Sequence, residues 1–102
     1  MTAMPEQQPV RELVSTEDRK RLVDRLARIE GQLRGVQKMI AGEAECEAVA
    51  QQLAAAQGAL RKAFAEFIAC ALERRMREHR PDGETPLREE LEEITGLLSK
   101  YV

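Results

Sequence analysis

The sequence predicts an all-α fold, and three observations carry that prediction. Apolar residues recur in alternating steps of three and four along two long stretches, the spacing that lines one side of a helix. Ala, Leu, Glu, Arg and Gln dominate, and all of them favour helix. No stretch of strand-like length alternates apolar and polar residues with a period of two. The 102 residues suit one domain, and they contain no internal repeat.

Residues 1–14 hold Pro5 and Pro9 among polar, Gln-rich neighbours and read as a flexible arm ahead of a single helical domain over 15–102. Ser15 or Thr16 offers a helix N-cap. Glu17 and Asp18 follow in the first turn, where the helix dipole favours acids. Leu22, Leu26, Ile29, Leu33, Val36 and Ile40 then form a heptad seam, and Gly42 suits a C-terminal cap. The first helix is expected over about residues 16–41.

A second helix is expected over about residues 44–79, stopped by Arg80-Pro81-Asp82-Gly83. Its seam runs Cys46, Val49, Leu53, Ala56, Leu60, Ala63, Phe67, Cys70. At 1.5 Å per residue the two cysteines are roughly 36 Å apart along the axis, so one straight helix cannot bring them together. Two copies crossing antiparallel near residue 58, a glycine flanked by Ala55, Ala56 and Ala59, would place Cys46 of each chain beside Cys70 of the other. A third helix, over about residues 86–101, is announced by Thr85 as N-cap and Pro86 at the first helical position. Leu87, Leu91, Ile94, Leu98 and Tyr101 line one side of it, and Glu89, Glu90, Glu92 and Glu93 the other. The expected protomer has three helices and no helix–turn–helix, and pairs into an antiparallel four-helix-bundle dimer.

With no Trp, one Tyr and two Phe, a core this small needs surface buried against another copy, so an obligate oligomer is expected. The net charge of −2 hides an uneven distribution. From Arg19 to Lys38 there are seven basic residues against two acidic ones, a net +5, whereas Asp82 to Val102 carries a net −4. Arg21, Arg25 and Arg28 share one face of the first helix beside its seam, and Arg34, Arg61 and Lys62 add to the basic character. Such residues suit phosphate contacts. The rival reading is a solvated face with Arg21–Asp24 and Glu30–Arg34 pairs.

No apolar run approaches a membrane span, and MTAMPEQQPV lacks a signal-peptide core, so a cytoplasmic protein with no membrane partner is expected. Two cysteines in that setting argue for a reactive or ligating pair more than for a structural disulfide. Two buried thiols acting as small hydrophobes are the alternative.

The stretch Arg25-Leu-Ala-Arg-Ile-Glu-Gly-Gln-Leu-Arg-Gly-Val36, then Met39-Ile40, Glu45-Cys46-Glu-Ala-Val49 and Gln51-Gln52-Leu-Ala-Ala-Ala-Gln-Gly-Ala-Leu60, resembles the CsoR/RcnR family of bacterial repressors. The likeness covers about residues 16–80 closely and the third helix loosely. It implies helical dimers assembling into disc-like tetramers that bind operator DNA without a helix–turn–helix. It also implies release from that DNA by copper, nickel or cobalt, by formaldehyde, or by persulfide sulfur, with no cofactor required.

By position, Cys46 matches the family's sensing cysteine, and the basic residues that matter for DNA match Arg25 and Lys62. The family's partner ligands fall at Ala71 and Arg75, where neither can bind a metal. Cys70 lies one residue before the first of these, roughly 100° around the helix. Arg74 and Arg75 would repel a cation and lower the pKa of a nearby thiol. A thiolate that attacks sulfane sulfur or an electrophile and is resolved by the second cysteine across the dimer therefore fits better than a conventional metal site. Copper(I) held by Cys46 and Cys70 is the alternative effector reading. His79 reads as a solvated cap, and Met39 and Met76 as packing residues.

Two rivals come from other classes. A small thiol enzyme would need a general base and a substrate cleft, and the chain has one His and no Gly-rich loop. A helical scaffold would explain the seams but leave the cysteine placement accidental.

Overall fold

The computed structural model describes residues 9–78 and 86–101. Four helical elements follow one another: α1 (Val10–Leu13), α2 (Thr16–Ala41), α3 (Cys46–Glu78) and α4 (Leu87–Tyr101). Among the described residues there is no strand. Three of the helices are long, and α2 and α3 form an antiparallel hairpin in a molecule 61 Å along its longest axis.

α2 begins where a hydroxyl can satisfy its first amides. Ser15 is extended, and its side chain accepts from the Asp18 amide at 3.2 Å. Its other end closes at Gly42, the expected C-cap. Gly42 donates to the Lys38 carbonyl and Ala44 to that of Met39, but the left-handed residue is Glu43, at φ 66°. This is a Schellman closure with a non-glycine residue at the reversal. It occupies Gly42 to Ala44, which is why α3 starts at Cys46, two residues later than expected.

The heptad seams divide into two sets. Leu22, Ile29 and Val36 are at most 8% exposed and face inward with Ala56, Ala63 and Cys70 of α3. Large side chains on one helix therefore meet small ones on the other, which lets the axes approach closely. The alternate residues Leu26, Leu33 and Ile40 stay 38–61% exposed, as do Leu53 and Leu60 across from them. These line two open troughs along the hairpin, one of about 460 Å³ toward Ile40 and Leu53 and one of about 250 Å³ toward Leu26 and Phe67.

The continuous core sits at one end only. Val14, Leu22, Ile68, Cys70, Ala71 and Ile94 form it, with Leu13, Phe64, Phe67 and Leu72 against them. α4 packs on the C-terminal half of α3, and Arg75 lies 3.7 Å from Glu90 across that contact. The expected arm through residue 14 is corrected here. Val10–Leu13 makes a helical turn, the Val14 amide donates to the Val10 carbonyl at 2.8 Å, and Val14 is fully buried. Pro9 fixes the extended approach to that turn, and the apolar Leu13 and Val14 have a core to enter. Residues 1–8, Thr85, His79 and the stretch Arg80-Pro81-Asp82-Gly83 lie outside the described residues.

Candidate functional site

Cys46 opens α3 at the thin end of the hairpin and is exposed. Heptad steps place it on the same stripe as Leu53 and Leu60, the stripe left open along the troughs. Cys70 lies at the thick end and is buried. It shares its stripe with Ala56 and Ala63, which face α2 of their own chain. The two thiols are thus not brought together within the protomer. They lie near opposite ends of one helix and on adjacent stripes of its seam, one exposed and one buried.

Burial pushes the Cys70 thiol up from its ordinary value. The Asp18 carboxylate beside it pushes the same way by charge and hydrogen bonding, and Glu66 adds to this, while Arg21 acts in the opposite sense. Within the protomer Cys70 is therefore held in its neutral form. Arg74 Nε reaches Glu78 at 3.1 Å, and Arg75 turns to Glu90 of α4.

The basic residues separate into two groups. Arg21 pairs with Asp18, three residues back, and not with Asp24, which takes Lys20 at 3.2 Å. Arg25 reaches across the hairpin, its Nε 2.7 Å from Glu66 Oε1. Arg28, Arg34, Arg61 and Lys62 are exposed and make no ion pair among the described residues. The Glu30–Arg34 pair of the rival reading does not form. Four cations thus remain open to solvent, where an anionic partner can reach them.

Among the described residues no three His, Cys, Asp or Glu side chains are gathered to hold a metal ion. Nor is any helix long and apolar enough to cross a membrane. Met39 is half-buried and Met76 exposed, each remote from the other thioether along the hairpin.

Sequence reasoning missed three residues: Val14, Asp18 and Glu66. Two had signals. Asp18 stands three residues before Arg21, and Glu66 four before Cys70, so each pair shares a helix face. The burial of Val14 had no such signal, because it depends on a core built from the other end of the chain.

Residues 18–100 match the family described as metal-sensitive transcriptional repressors. The chain is also similar to an uncharacterized protein in the bioA 5' region of Serratia marcescens. The two are 34% identical over 88 residues, which span 83% of this chain and 92% of that protein. The match reaches from the first turn of α2 through nearly all of α4, and it includes Cys46, Cys70 and every basic residue considered above. The chain belongs to the family of metal-sensitive transcriptional repressors.

Proposed function

We propose that this chain represses transcription by binding operator DNA as an oligomer, and that chemistry at Cys46 releases it. The observation that carries the reading is the position of Cys46. It is exposed, at the start of α3, and on the unpaired stripe that a second copy would cover. Exposed Leu26, Leu33, Ile40, Leu53 and Leu60 support a dimer built along the troughs, since burying each contributes about 1.5–3 kcal/mol. A tetramer of two such dimers follows from the resemblance to the CsoR/RcnR type.

Arg28, Arg34, Arg61 and Lys62 supply phosphate contacts, with Arg21 and Arg25 as further members of the set. The preferred inducer is a sulfane sulfur or another thiol-reactive species, because Ala71 and Arg75 stand where the family's metal ligands would be. Cys70 of the partner chain is the second sulfur in this scheme. It shares the buried core with Val14, so its engagement requires that core to open. A metal-responsive repressor is the second reading, and the family's description favours it. Within one protomer the donors do not fit a metal, since Cys46 and Cys70 lie near opposite ends of α3 and, among the described residues, no three potential ligands are gathered. Copper(I) would have to be held between chains by soft thiolates.

A gel shift tests both readings. The duplex is copied from the DNA immediately upstream of the chain's own coding sequence, and binding is repeated after tetrasulfide and after copper(I). The expected result is a shifted band that tetrasulfide abolishes in the wild type and leaves intact in Cys46→Ser. Release by copper(I) alone supports the second reading. Normal tetrasulfide release of Cys46→Ser overturns the role of that thiol, and no shift under any condition overturns the repressor reading.

A further inference from the structure

The candidate DNA-contacting arginines on α2 are not equivalent. Arg21, Arg25 and Arg28 lie on one face, at four- and three-residue steps. The first two each carry a carboxylate and the third carries none. The carboxylates are the more deeply set partners. Asp18 is 13% exposed against 64% for Arg21, and Glu66 is 25% exposed against 36% for Arg25. Each acid is anchored at the seam beside buried Cys70, while its arginine extends outward. The local Asp18–Arg21 pair, whose arginine is largely exposed, contributes little to stability.

We infer that Asp18 and Glu66 act as internal counterions, each neutralising one α2 arginine that would otherwise contact a DNA phosphate. The inference rests on the DNA-binding reading above and adds a residue role to it. DNA affinity and its salt dependence follow the number of phosphates that free cations neutralise. A guanidinium already matched by a carboxylate presents a dipole, not a net charge, and contributes little to that count. Glu66 and Asp18 thereby hold affinity below what the sequence of basic residues suggests. Arg28, Arg34, Arg61 and Lys62 supply most of the sequence-independent attraction, and Arg21 and Arg25, members of the same set, add less while paired. A repressor that must leave its DNA on a signal gains from such a ceiling, because release then needs a smaller change in free energy.

A double-mutant cycle tests this by fluorescence anisotropy, on the same upstream duplex and over a range of salt. Glu66→Gln keeps the shape and removes the charge. It is expected to tighten binding roughly three- to five-fold, the size of one exposed ion pair, and to steepen the slope of log K against log salt by about 0.9. Both effects are expected to vanish in an Arg25→Ala background. Asp18→Asn with Arg21→Ala gives a second, independent cycle, and circular dichroism confirms that each variant is folded. Equal tightening with and without Arg25 would show Glu66 to be a bulk charge and overturn the inference. Weaker binding by Glu66→Gln would show it to orient Arg25 for DNA, and also overturns it. In both cases the wild type still binds the duplex. If neither wild type nor variant binds at all, the DNA reading itself fails, and the inference falls with it.

Discussion

Leu26 in α2 and Leu60 in α3 stand on opposite walls of one trough, and they remain 44% and 45% exposed. Neither completes its burial within the chain. Their neighbours one heptad position away, Leu22 and Ala63, are buried. Half of a two-sided seam is therefore satisfied internally and half is left for another surface.

If that surface is a second copy, Leu26→Glu or Leu60→Glu will split the oligomer. Two equivalent sites are lost per dimer, each contributing about 1.5–3 kcal/mol, so dimerisation should weaken about a hundred-fold or more. Sedimentation equilibrium reads this directly. A Leu26→Glu chain that sediments like the wild type would assign the trough to something else.

The two cysteines should differ sharply in reactivity. Exposed Cys46 is expected to alkylate at least about ten-fold faster than Cys70 at neutral pH, since the thiolate is the reactive form and access matters. Peptide mass spectrometry after timed iodoacetamide treatment measures both. The same environment links Cys70 to alkaline stability. Its folded value lies above the ordinary 9.0, so the stability it contributes is complete below that pH. As pH climbs past 9.0 the unfolded chain loses the proton first, and stability falls until the folded thiol ionises too. Cys70→Ala should flatten that alkaline decline. A decline of the same steepness in Cys70→Ala would detach it from this thiol.

The two ends of α2 offer opposite changes in stability. Ser15→Ala removes the side-chain acceptor for the Asp18 amide and should cost about 1 kcal/mol. Glu43→Gly relieves a left-handed residue and should raise stability by about 0.5–1 kcal/mol, the entropy of a freer unfolded chain offsetting part of the gain. Urea titration with unchanged slope gives both values. A loss of stability in Glu43→Gly would mean that the glutamate side chain stabilises the turn.

Much of the helical layout was legible, because heptad spacing and capping residues are local. Leu22 to Ile40 read as one seam, and Ser15 or Thr16 read as the cap, a place that Ser15 takes. What periodicity does not show is which half of a seam faces inward. That depends on where large residues of α2 meet the small Ala56 and Ala63, a pairing between distant parts of the chain. The same limit hid the setting of Cys70. Its place on the seam was plain, but the carboxylates beside it come from another helix and from the preceding turn of its own. Glu43 shows a different limit. A glycine stood next to the reversal, and the chain reversed one residue later.

The protomer measures 61 × 28 × 24 Å, and its radius of gyration of 17.9 Å exceeds the ~13 Å of a rounded domain this long. A body of that shape drags more in water than its mass implies. Any lone protomer would leave a sizing column ahead of round proteins of equal weight and pass there for a larger species. Counting subunits by elution volume would therefore mislead, and light scattering, which weighs particles whatever their outline, is the sounder balance.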